Sequence, residues 1–149
     1  MARVGSLAAL VLALLVLGCG GESGGTRELT WFIARQPGGA VEKLAQRCSQ
    51  ASDGRYEISV ELLPAQADQQ REQLVRRLGA EDDTIDILGM DVVWTGEFAN
   101  AGWVREVPAD RQDALTEGVF RSVLETGRFE GRQYGVPIWS NTQLLWYRT

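Results

Sequence analysis

The side chains able to do chemistry in this 149-residue chain are carboxylates, amides, guanidinium groups and indoles, because histidine is absent altogether. Two cysteines occur, Cys19 and Cys48. A Ser-His-Asp or Cys-His nucleophilic set cannot be assembled from such residues. Nor can an ordinary zinc site, which needs several Cys or His ligands. Pro37-Gly38-Gly39 has neither the GxGxxG nor the GxxxxGK spacing of a phosphate-cradling loop. The net charge is −5 and Lys43 is the only lysine, so there is no basic patch for a nucleic-acid backbone. No catalysis, metal, cofactor or nucleic acid is expected. What remains is recognition by hydrogen bonds and by flat apolar faces.

The candidates for that recognition follow apolar segments. Arg35 and Gln36 come after LTWFIA, and Asp91 comes after TIDILGM. Asn141 lies in the polar break SNTQ within YGVPIWSNTQLLWYRT, where four polar side chains interrupt a run that otherwise suits a buried strand. A carboxylate accepts two hydroxyls, and an amide both donates and accepts, a combination that suits a vicinal diol. Five tryptophans are present. Trp94 and Trp139 flank the polar candidates and offer indole faces to the C–H face of a sugar ring. Trp31 and Trp146 lie in strand-like interiors and are expected in the core, as is Trp103 behind Gly102. Other roles stay open: Asp91 can cap a helix, Arg35 and Gln36 can be solvated loop residues, and Asn141 can belong to a turn or bulge.

The elements that must position these groups alternate. Residues 29–34 form a short apolar run suited to a strand buried on both faces. Val41, Leu44, Ala45 and Cys48 then fall on one helical face, stopped by Asp53-Gly54. Tyr56, Ile58, Val60 and Leu62 alternate with polar residues as a second strand. A polar helix over 68–78 turns Leu74, Val75 and Leu78 inward, residues 84–90 make a third strand, and a helix follows over 91–101. Weak helical character over 111–126 precedes a tight bend at Gly131. This order predicts an α/β fold with a mostly parallel sheet flanked by helices, and in such sheets ligands bind at the carboxyl ends of the strands.

The amino-terminal segment stands apart. Arg3 precedes the apolar run 7–17, which at about 1.5 Å per residue spans only half a bilayer as a helix. A charged start, a short apolar middle and a small-residue exit make a secretory signal. Val16-Leu17-Gly18-Cys19 resembles the lipobox of bacterial lipoproteins, although Leu17 replaces the usual small residue. That resemblance implies a signal over 1–18, acylation of Cys19 and a flexible tether through residue 27. The protein would then be held on the extracytoplasmic face of the cell membrane. At the other end, the apolar segment 144–147 is followed at once by Thr149, and the chain is read as the first part of a longer protein.

Taken together, the motifs resemble the extracellular solute-binding proteins of bacterial carbohydrate ABC importers, of the maltose/maltodextrin type. Asp86-Ile87-Leu88 with the following ligand loop, Phe98-Ala99-Asn100-Ala101-Gly102-Trp103, and the FEGRQYGVP run over 129–137 carry that resemblance. DVVWTGEFA and NTQLLWYR look most like the trehalose-binding branch. The resemblance implies a periplasmic-binding-protein-like first lobe over 28–149, with the second lobe missing. It also implies Asp91 and Asn141 as sugar contacts, and a disaccharide such as trehalose as ligand. The partners would be ABC permease subunits, met by a monomeric, lipid-anchored receptor that closes two lobes on its sugar by a hinge. A first lobe alone would bind sugar weakly or not at all, since it holds half a site. Cys48 would be free or paired with a cysteine beyond Thr149. The competing readings are a binder of another small solute and a lipoprotein enzyme acting on cell-envelope glycans, which would need a carboxylate pair at catalytic separation.

Overall fold

The computed structural model describes residues 25–141 and 144–148. Residues 1–24, which include the expected signal and Cys19, lie outside the described residues, as do Thr142, Gln143 and Thr149.

Strand β1 (Arg27–Ala34) is the centre of a three-stranded parallel sheet of order β2-β1-β3. Its register with β2 (Tyr56–Leu63) runs from Arg27 opposite Tyr56 to Ala34 opposite Leu63. On the other side Trp31 faces Ile87 and Phe32 faces Leu88 of β3 (Ile87–Leu88). Consecutive side chains of a strand point to opposite faces, and the buried run Trp31-Phe32-Ile33 therefore serves two cores. Trp31 and Ile33 pack with Val41 and Ala45 of helix α1 (Ala40–Ala51), beside Ile58, Val60 and Ile87. Phe32 packs with Leu63, with Leu74 of α2 (Ala67–Gly79), and with Trp94 and Phe98. The indole Nε1 of Trp31 is buried without a hydrogen-bond partner among the described residues.

The connections follow from local chemistry. Gly38 and Gly39 take φ of 68° and 65° before α1, a left-handed backbone that glycine adopts without penalty. Lys43 Nζ donates to the Gly38 carbonyl at 2.9 Å and holds the turn. At the far end of α1, the buried Ser52 hydroxyl accepts from the Tyr56 N–H at 3.2 Å, and Ser49 Oγ accepts from the Ile58 N–H at 2.8 Å. These bonds tie the end of α1 to the start of β2.

On α2, Arg77 lies over the Phe32 ring at 4.7 Å and pairs with Asp82 at 2.8 Å. The Asp82 carboxyl accepts from the Thr84 hydroxyl and backbone N–H. Those two bonds, with the Arg77 charge added, hold its pKa below the usual carboxylate value. A carboxylate whose folded pKa is lowered stabilises the fold above its unfolded pKa and loses that contribution as pH falls through the folded one. Asp82→Asn is therefore expected to lower Tm near pH 7, with the gap from the parent protein closing in acid. A gap independent of pH would refute the assignment.

After β3 the chain makes a short 3-10 turn (Val92–Trp94) and helix α3 (Thr95–Asn100), where one helix over 91–101 is expected from sequence. Gly102 follows with φ of 72°. Helices α4 (Ala109–Thr116) and α5 (Arg121–Leu124) replace the single weak helix. An antiparallel hairpin pairs β4 (Arg128–Phe129) with β5 (Arg132–Gln133). Its two-residue loop has positive φ at both Glu130 and Gly131, as tight hairpin turns require. The hairpin is fastened to the sheet region by Thr95 Oγ1, which donates to the Thr126 carbonyl at 3.0 Å. The buried amide of Gln133 also donates to the Leu124 carbonyl at 3.2 Å.

Several sequence expectations are corrected. The third strand is shorter than 84–90, although its pairing is extended by the bonds from Asp86 N–H to the Thr30 carbonyl and from Gly89 N–H to the Phe32 carbonyl. Leu44 is exposed rather than inward, because Val41 and Ala45 take the centre of the contact face of α1. Residues 136–141 and 144–148 form no strand. Trp146 is 87% exposed instead of being in the core. An apolar strand is fixed by a partner's hydrogen-bond ladder, and among the described residues none pairs with this segment.

Candidate functional site

The carboxyl ends of β1, β2 and β3 define one edge of the sheet. Ala34, Arg35, Gln36, Pro37, Gly38, Gly39 and Ala65 line an open depression of about 450 Å³ there. Gln36 spends one amide hydrogen on the Ala34 carbonyl at 3.3 Å, which turns the side chain back toward its own strand. Arg35 is exposed. A second concavity of about 460 Å³ lies between α1 and the first half of β2, away from this edge, lined by Glu42, Ala45, Ser49 and Ile58 among others.

Asp91 stands just past β3 and is exposed. It does cap the 3-10 turn: its Oδ1 accepts from the Val93 N–H at 3.3 Å. This weak bond engages one carboxylate oxygen and leaves acceptor capacity on the other. Gly89, two residues earlier, is required by space: a Cβ there would come within 2.6 Å of Ile33 Cγ1. The close approach of β3 to β1 that delivers Asp91 to the edge therefore depends on a missing side chain.

The segment that leads to Asn141 leaves the hairpin at Gly135. Gln133 and Gly127 lock the end of the hairpin, with the Tyr134 and Gly135 N–H groups both bonded to the Gly127 carbonyl, at 2.9 and 3.0 Å. A Cβ on Gly135 would lie 3.8 Å from Met90 Cε. The segment carrying Trp139 and Asn141 thus starts against the residue next to Asp91. Both Trp139 and Asn141 are exposed.

Trp94 departs from the expectation. It is 5% exposed, its ring stacked on Phe98 with centroids 6.0 Å apart, so its indole is a core group with no free face for a ligand. The i, i+4 spacing of Trp94 and Phe98 was the available sequence signal for this packing. Sequence reasoning passed over Val92 and Val93, which are 57% and 76% exposed directly beside Asp91; nothing in their residue type marks them for exposure. Among the described residues there is no cluster of three or more His, Cys, Asp or Glu side chains suited to a metal, and no helix is long and apolar enough to cross a membrane.

No protein-family model matches the chain. Solved structures do. The maltodextrin-binding protein MalE1 from L. casei BL23, without ligand, superposes with a TM-score of 0.63 at 12% identity, over 75% of this chain and 29% of that one. Maltose-bound MalE3 of T. maritima gives 0.62 at 20% identity, over 72% and 27%. An ABC transporter solute-binding protein from Agrobacterium radiobacter K84 in complex with ribitol gives 0.60 at 20% identity, over 74% and 28%. The chain spans less than a third of the length of these structures. At such identities the likeness establishes the fold, and the α/β architecture is that of a periplasmic-binding-protein-like first lobe.

Proposed function

We propose that this chain is the first lobe of an extracytoplasmic sugar receptor of an ABC importer. In this reading the strand-end rim forms one wall of the pocket, with Asp91 and Asn141 as its hydroxyl-binding groups. The observation that carries the reading is the exposed Asp91 at the end of β3, one residue beyond Met90, against which the segment leading to Asn141 begins. Ligand crevices in open parallel sheets lie at this edge. The fold's likeness to maltodextrin-binding, maltose-bound and ribitol-bound proteins supports a sugar or polyol as ligand. The run DVVWTGEFA and the segment NTQLLWYR favour a disaccharide such as trehalose. Cys19, behind its lipobox-like segment, would be acylated and hold a monomeric receptor on the outer face of the cell membrane, within reach of the permease subunits.

Asp91→Ser tests the site without removing the cap, since serine also caps well. The parent chain is expected to bind trehalose or maltose in the millimolar range, and Asp91→Ser to weaken that binding about tenfold with Tm nearly unchanged, as a charge-assisted hydrogen bond of roughly 1.5 kcal/mol implies. Equal affinities in the two proteins would remove Asp91 from the site.

A further inference from the structure

Because Trp94 is buried, the apolar contact that a sugar ring needs beside Asp91 must come from elsewhere on the rim. Val92 and Val93 are there, aliphatic, 57% and 76% exposed, on the 3-10 turn that Asp91 caps. Asp91 Oδ1 holds the Val93 N–H, so the carboxylate and the valine pair form one local unit of fixed backbone. Exposed apolar side chains are common singly; two adjacent ones against a carboxylate with spare acceptor capacity make an amphipathic pair. A pyranose has the matching pattern, with C–H groups on one face and equatorial hydroxyls at its edge. An acyclic polyol has the hydroxyls without a rigid apolar face.

We infer that Val92 and Val93 form the aliphatic ledge of the site, and that this ledge selects ring sugars over acyclic polyols. The inference rests on the proposed sugar site. On binding, the hydroxyls at the ring's edge meet Asp91 while the ring's C–H face covers the Val93 methyls. The ledge is built without an indole, so it favours the smaller contact of a single ring face over extended stacking.

Val93→Thr is the discriminating variant, since it preserves side-chain shape and places a hydroxyl where a methyl was, at a site too exposed to disturb packing. The 149-residue chain, labelled at valine methyls and at backbone amides, is titrated with trehalose, maltose and ribitol. The ledge predicts methyl shifts at Val92 and Val93 with both disaccharides, smaller ones with ribitol, and a three- to tenfold weaker disaccharide affinity in Val93→Thr with ribitol affinity unchanged. Amide shifts at Asp91 and Asn141 without valine methyl shifts, or equal losses for disaccharide and ribitol, would overturn the ledge and leave the sugar site standing. No shift at any rim residue with any of the three ligands would overturn both.

Discussion

Phe98→Ala is expected to lower the unfolding free energy by about 3–5 kcal/mol, measured as a shift in urea midpoint at unchanged slope. The ring is fully buried, stacked on Trp94 and met edge-on by Trp103 at 5.5 Å. Truncation removes the apolar contact and leaves a cavity between two large indoles that cannot collapse into it. Because Phe98 sits on α3 and packs with Phe32, Leu63 and Leu74, it joins that helix to the sheet and to α2. A loss under about 1 kcal/mol would mean that α3 is not seated as described, since surface substitutions fall in that range.

Gly127→Ala should be the next most damaging change, at about 1–3 kcal/mol. A Cβ at Gly127 would be driven against the Gly135 carbonyl oxygen and come within 2.7 Å of Gln133 Nε2. Backbone and a buried amide cannot step aside as the end of a flexible chain can. The strain falls on the bonds from Tyr134 and Gly135 N–H to the Gly127 carbonyl, which aim the segment leading to Asn141. The variant should therefore lose sugar affinity along with stability. Full retention of both would show that the hairpin does not position that segment.

The legible part of the fold was the part whose period is strong. Over residues 56–62, β2 alternates residue by residue between half-buried and exposed positions, with Leu63 buried at its end, and a period of two has one structural solution. The inward Leu74, Val75 and Leu78 of α2 were equally clear from helical spacing. β3 was harder, because two paired residues carry no period, and what limits it is the space at Gly89, which depends on Ile33 from another strand. Trp146 shows a different limit. Its surroundings have the composition of a buried strand, but composition does not reveal whether a pairing edge is available, and the side chain stands in solvent.

The position of the candidate residues was partly legible for the same reason. The ends of strands can be located from sequence, so Arg35, Gln36 and Asp91 were found at an edge of the sheet, and the capping role of Asp91 was one of its expected options. The exposure of a side chain within a one-turn helix depends on how that turn rolls onto the core. Trp94 rolled inward onto Phe98 and left Val92 and Val93 outside, which residue types alone do not decide.

The most direct measurement is a residue-by-residue map of backbone amide shifts as the chain is titrated with trehalose and maltose. The account predicts that the largest changes cluster at 35–36 and 91–93, at the carboxyl edge of the sheet, and at 139–141, on the segment that starts beside Met90. Changes centred instead on the concavity between α1 and β2, around Ala45, Ser49 and Ile58, would contradict it.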